Sequence, residues 1–149
     1  MTQENKELLF RDLCSKLPYG VKVKIKYYDD DWKLLAIYTN GTTYSTRDIG
    51  YPIETYFEDC KPYLFPLSSM TEAQKEELNR VTNGKFNSYG TYIDNCKPRN
   101  WNEWGTTEYN WIRHHDVDLL NTWLDKNYFD HRGLIEKGLA IDATNLNIY

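Results

Sequence analysis

The stretch 20-GVKVKIKYYDDDWKLLAIYTNGTTYST-46 changes the chain from a helical to an extended rhythm, and its reading decides the fold. Val21, Val23, Ile25 and Tyr27 alternate with Lys22, Lys24, Lys26 and Tyr28. A period of two with one apolar face predicts a half-buried strand whose outer face is coated with lysine. Asp29-Asp30-Asp31 breaks it as a polar turn, and WKLLAIYT predicts a second strand. Asn40-Gly41 is a two-residue hairpin signal leading into TTYST. Further extended pieces are expected around Tyr56–Glu58 and Cys60–Leu64. Short strands with tight turns predict a small, strongly bent antiparallel sheet, or an SH3-like barrel, over residues 20–66.

Before this stretch, Leu9, Leu13 and Leu17 recur at i, i+4 and i+8, which predicts a helix over residues 3–16 ended by Pro18 and Gly20. After it, SSMTEAQKEELNRV predicts a helix over 70–82, opened by a capping box of Thr71 and Gln74. Residues 83–115 are rich in Asn, Gly, Thr and aromatics, and YGTYID and TEYNWIR there read as strands. Val117, Leu120, Leu124 and Tyr128 then form an amphipathic stripe, with Asp116 placed as the N-cap. A shorter helix is expected over His131–Lys137, with Asp130 as N-cap and Gly138 just past its end. The expectation is one α+β domain over residues 1–149: an N-terminal helix, a bent sheet, and C-terminal helices over 116–149.

Of the 149 residues, 15% are aromatic, including five Trp and thirteen Tyr, which suits a folded core with polar tips at its edge. The formal net charge of −4 gives no overall basic field, so binding of nucleic acid is disfavoured except at a local site. No apolar run approaches a membrane span, so no membrane partner is expected. Cys14, Cys60 and Cys96 are odd in number and widely spaced, which suits reduced thiols in a cytoplasmic protein.

Three surfaces carry candidate functions. The aromatic run offers Trp101, Trp104, Tyr109 and Trp111 with Arg99 and Arg113, residue types that concentrate binding energy at protein interfaces. The competing reading is a small local core, since tryptophan is mostly buried in any fold. The same surface is equally suited to self-association. Lys22, Lys24 and Lys26 could follow a phosphate backbone, against a plainer role in deterring edge-to-edge aggregation. His114, Asp116 and His131 are the material for a metal-dependent or hydrolytic enzyme. The adjacent pair His114-His115 lacks the i, i+4 or i, i+2 spacing of a shared metal, and helix-edge roles explain these residues more simply. No catalytic elbow, phosphate-cradling loop or dinucleotide fingerprint is present in the sequence, so no catalytic residue, metal or cofactor is assigned.

Two blocks, KPYLFPLSSMT and FDHRGLIEKGLAIDA, lie within LPYGVKVKI…CKPYLFPLSSMTEAQKEEL and NYFDHRGLIEKGLAIDAT. They resemble short proteins of gut Bacteroidales genomes and their phages and prophages, a family without an established activity. The likeness covers residues 1–80 and 116–144, and His131 departs from it where tyrosine is the commoner residue. It implies a bacterial cytoplasmic setting and a mobile-element origin, and it transfers no catalytic residues. Residues 82–115 lie outside the likeness, which makes them the natural carrier of individual specificity. The function expected from all this is a non-catalytic accessory or inhibitor protein that binds a host or element-encoded protein.

Overall fold

The computed structural model describes residues 1–82 and 107–149, with the side chains of 107–116 outside the description. The described residues form an N-terminal helix, a six-stranded, mostly antiparallel open sheet and C-terminal helical structure, an α+β fold. They fall into two compact units. The first comprises Met1–Pro66 and Tyr128–Tyr149, and the second Leu67–Asn127.

In the first unit α1 spans Gln3–Lys16 and starts where the Thr2 hydroxyl accepts from the Asn5 N–H. The expected stop is observed. Leu17–Tyr19 tighten into a 3-10 turn, and Gly20 takes φ +76°, a conformation that costs glycine nothing. The strands are β1 (Lys22–Ile25), β2 (Asp31–Ile37), β3 (Thr42–Thr46), β4 (Ile53–Tyr56), β5 (Cys60–Leu64) and β6 (Ile141–Asp142). Their order is β4-β3-β2-β1-β5-β6, antiparallel except for the last pair. The sheet is open, with β4 and β6 as its outermost described strands. It is also strongly bent: Cys60 Sγ at the start of β5 lies 3.6 Å from Thr43 Oγ1 and 3.7 Å from Thr55 Oγ1.

Alternation in β1 and β2 turns Val23, Ile25, Trp32 and Leu34 inward, where Leu9 and Leu13 of α1 complete a core with Leu134 and Leu139 from the C-terminal segment. Burying one such aliphatic side chain stabilises the fold by about 1.5–3 kcal/mol.

Four local expectations are corrected. The first strand ends at Ile25, so Tyr27 does not continue the inward face; it sits in a turn at φ +75°. The hairpin between β2 and β3 is closed by Gly41 N–H to Tyr38 C=O at 2.9 Å, with Gly41 at φ +87°. That is a three-residue loop with a left-handed glycine, and Asn40 contributes its side chain as acceptor for the Thr42 N–H. The extended piece expected at Tyr56–Glu58 is the end of β4 followed by a 3-10 turn over Phe57–Asp59. The helix expected over His131–Lys137 is a series of turns. Asp130 still caps them, accepting from Leu134 N–H and Ile135 N–H at 2.8 Å each, and Gly138 adopts φ +68°.

In the second unit, α2 spans Glu72–Val81 and opens with the expected reciprocal capping box of Thr71 and Gln74. Helix α3 spans Thr107–Lys126, so TEYNWIR is helical and Asp116 lies inside the helix, not at its N-cap. Neither Pro nor Gly interrupts residues 107–126, and the weak strand preference of Tyr, Trp and Ile gives way once the chain continues into a helix-forming stripe. Leu120, Trp123 and Leu124 of that stripe are buried. Among the described residues no helix is long and apolar enough to cross a membrane.

Candidate binding surfaces

One end of the sheet gathers the β1–β2 turn and the β3–β4 loop around Trp32. The Tyr28 ring meets the Trp32 ring edge-on, 5.5 Å between centroids, and the Arg47 guanidinium lies 5.3 Å from the Trp32 centroid. Arg47 also pairs with Asp30, which ties the two loops together. Gly50, at φ +123°, packs against Arg47: a Cβ there would stand 2.9 Å from Arg47 Nε. Trp32 is thus a buried post, 2% exposed, carrying two loops. The loops present large side chains to solvent: Tyr27 and Ile49 are each 85% exposed and Tyr51 is 90% exposed. Beside them Lys22, Asp31, Arg47 and Asp48 line a shallow polar cleft of about 500 Å³.

The outer face of the sheet is basic. Register places Lys22 directly opposite Lys33, and Lys24 opposite both Lys61 on β5 and Asp31 on β2. Lys26 lies beyond the end of β1, its ammonium 4.9 Å from the Tyr27 ring centroid. The three sequence-predicted lysines are therefore not one row. Lys22 and Lys24 share the sheet face, while Lys26 belongs to the turn. Lys33 and Lys61 join them there, and a reading of one strand alone has no means of finding them, because strand pairing brings them together.

A buried ionic cluster links α1 to the C-terminal segment. Asp12 and Lys16, both fully buried, form an i, i+4 pair, and Arg132 Nη1 donates to Asp12 Oδ1 at 2.9 Å. His131 Nε2 lies 2.8 Å from the same guanidinium nitrogen. The structure thus gives His131 a place beside an arginine. His114 and Asp116 fall on α3 with side chains outside the described residues. Among the described residues no group of three or more His, Cys, Asp or Glu could hold a metal ion. Cys60 is buried and Cys14 half-buried, and burial pushes both thiols up, away from the reactive thiolate.

The tyrosines of the first unit act as struts. Tyr149 lays its ring on Tyr128, 3.8 Å between centroids and nearly parallel. Its hydroxyl accepts from the Lys22 N–H at 3.1 Å and donates to the Tyr63 C=O at 3.0 Å. Tyr63 in turn donates to Asp31, and Tyr128 to the Tyr19 carbonyl.

Of the aromatic run predicted to bind a partner, Arg99, Trp101 and Trp104 lie outside the described residues. Tyr109, Trp111 and Arg113 lie on the first turns of α3, again with side chains outside the description. The exposed loop-end residues Tyr27, Ile49 and Tyr51 are not singled out as a surface by the sequence pattern. The signal that could have found them is a pair of bulky residues, Ile49 and Tyr51, flanking a glycine in an otherwise polar loop. Compared with family models, curated proteins and solved structures, the chain matches none.

Proposed function

We propose that this chain is a non-catalytic protein-binding module of accessory or inhibitor type, working in a bacterial cytoplasm and carried by a mobile element as the sequence resemblance implies. Its described contact surface is the loop end built on Trp32, with Tyr27, Ile49 and Tyr51 as anchors. The single observation that carries this reading is Tyr27. A tyrosine at φ +75° costs about 1–2 kcal/mol relative to a right-handed or extended backbone. Within the chain the exposed ring meets the Lys26 ammonium at 4.9 Å, a contact worth about 0.5–1 kcal/mol at an exposed site, which offsets only part of that strain. Strain held at an exposed aromatic residue is characteristic of recognition sites, where Tyr and Trp dominate the binding energy. Trp101, Trp104, Tyr109 and Trp111, with Arg99 and Arg113, are proposed as a second contact set.

The test is capture of partners from the native host's cytoplasm by wild-type protein and by Tyr27→Asn, with nuclease present. Asparagine tolerates the left-handed turn and keeps the fold while removing the ring. Loss of a nuclease-resistant partner with an undiminished melting temperature supports the reading. Retention of every partner by Tyr27→Asn, Ile49→Ser and Tyr51→Ser combined sinks it.

A further inference from the structure

A second face of the same unit carries an arrangement that sheet energetics alone would avoid. Like charges directly opposite one another on neighbouring strands repel, and opposite charges attract. Here two lysine pairs face each other in adjacent rows: Lys22 with Lys33, and Lys24 with Lys61. The four side chains lie on one side of β2, β1 and β5, because Val23, Trp32, Leu34 and Cys60 occupy the other side. Directly paired side chains stand about 5 Å apart at Cβ, and successive rows about 7 Å apart along the strand. The chain reinforces the crowding. Lys33 is laid over Gly20, where a Cβ would meet Lys33 Cε at 2.7 Å, so the absence of a side chain at position 20 makes room for it. Local relief is partial. Asp31 lies opposite Lys24 but also accepts from the Tyr63 hydroxyl, and the Lys24 ammonium reaches the Asp29 carbonyl, which carries no charge.

The plain role for such lysines, keeping an edge strand from pairing with other chains, does not apply. Strand β1 is flanked by β2 and β5, and its backbone edge is already occupied on both sides. Continuing across the same face, register and burial turn Tyr44 of β3 and Glu54 and Tyr56 of β4 outward, with Thr43, Ser45 and Thr55 turned inward; the Glu54 carboxylate, opposite Tyr44, leaves the phosphate track to the lysines of β1, β2 and β5. Tyr44 is half-buried and Tyr56 is exposed. A basic strip beside aromatic rings on a curved sheet is the combination that holds single strands, lysine on phosphate and ring on base.

We infer that the outer face of the sheet binds the phosphodiester backbone of a single-stranded nucleic acid across Lys22, Lys24, Lys33 and Lys61, with bases toward Tyr44 and Tyr56. The site is local, which reconciles it with a chain of net charge −4. Lys22 also borders the polar cleft beside the loop end, whereas Lys33, Lys61 and Tyr44 do not line it, so substitutions at those three test this inference separately from the loop-end surface.

The test is fluorescence anisotropy of the full chain with a labelled 12-nucleotide oligothymidylate from 50 to 200 mM salt, with polyglutamate as competitor. Four phosphate contacts predict a log–log salt slope of about −2.8, or roughly 50-fold weaker binding over that range. The Lys33→Gln, Lys61→Gln variant should halve the slope, to about −1.4. Tyr44→Ala should weaken binding roughly tenfold without changing the slope. A fold control separates site loss from unfolding: at low salt the double lysine variant should melt above the wild type, because its two repelling pairs are gone. Three results would each overturn the inference: no binding at 50 mM salt, a slope that the double variant leaves unchanged, or equally strong competition by polyglutamate.

Discussion

Arg132 reaches Asp12 at 2.9 Å across 120 positions of sequence, and donates to the same carboxylate oxygen, Oδ1, that Lys16 engages. The C-terminal segment is thereby fastened to α1 by charge as well as by the packing of Leu134 and Leu139. Asp12 is fully buried, and its second oxygen has no hydrogen-bond partner among the described residues. Removing the carboxylate takes the counter-charge from a buried ammonium. Asp12→Ala should cost about 3–5 kcal/mol, read as a lower urea midpoint. The joint change Asp12→Leu, Lys16→Met should cost less, since the desolvation of both charges disappears with them and what remains is the loss of one partner by the partly exposed Arg132 guanidinium. Equal losses in the two variants would show that the ionic pair is not what the position requires.

Tyr27→Asn should raise stability by about 0.5 kcal/mol, because asparagine tolerates a left-handed backbone at lower cost than tyrosine. Thermal melts of the two proteins check this directly. A lower melting temperature would mean that the ring contributes to folding, and would weaken the case for recognition.

Tyr149→Phe should cost about 1–2 kcal/mol while leaving the stack on Tyr128 in place. The hydroxyl serves a backbone donor, Lys22 N–H, and a backbone acceptor, Tyr63 C=O, and phenylalanine serves neither. Amide exchange at Lys22 should accelerate in the variant. Unchanged protection there would show that the bridge is dispensable.

Stability should fall as pH rises past 9. Burial above all keeps the Cys60 thiol and the Tyr63, Tyr128 and Tyr149 phenols protonated in the folded chain. In the unfolded chain these groups release protons near the ordinary values of 9.0 and 10.0. The folded state then binds more protons than the unfolded one, so stability is complete below pH 9 and declines above it. Urea midpoints at pH 8 and pH 10.5 should differ in that order, with phenolate absorbance rising on unfolding at the higher pH. Identical midpoints would refute the assignment.

The strands and their inward faces were legible because alternation is local: Val21, Val23 and Ile25 announce a face without reference to any other part of the chain. Capping was legible for the same reason, at Thr71 with Gln74 and at Asp130. The sites were not. Opposition of Lys24 and Lys61 is a property of β1–β5 pairing, between residues 37 positions apart, and no periodicity in either strand contains it. Alternation continues through Tyr27 in sequence, whereas the strand ends at Ile25 and the chain turns at Tyr27 with φ +75°. Arg132 and Asp12 show the same limit, since each is an ordinary charged residue until the fold places them together.

The two ends of the second unit's connection carry one more consequence. Phe65 N–H bonds to Tyr128 C=O at 2.9 Å, and Asp130 N–H returns to Phe65 C=O at 2.8 Å. Leu67–Asn127 therefore leaves and re-enters the sheet-bearing unit at a single doorway, already stitched shut by main-chain bonds. Topologically this is a cassette. Every described strand of the sheet lies outside Leu67–Asn127, in the two segments that this junction joins.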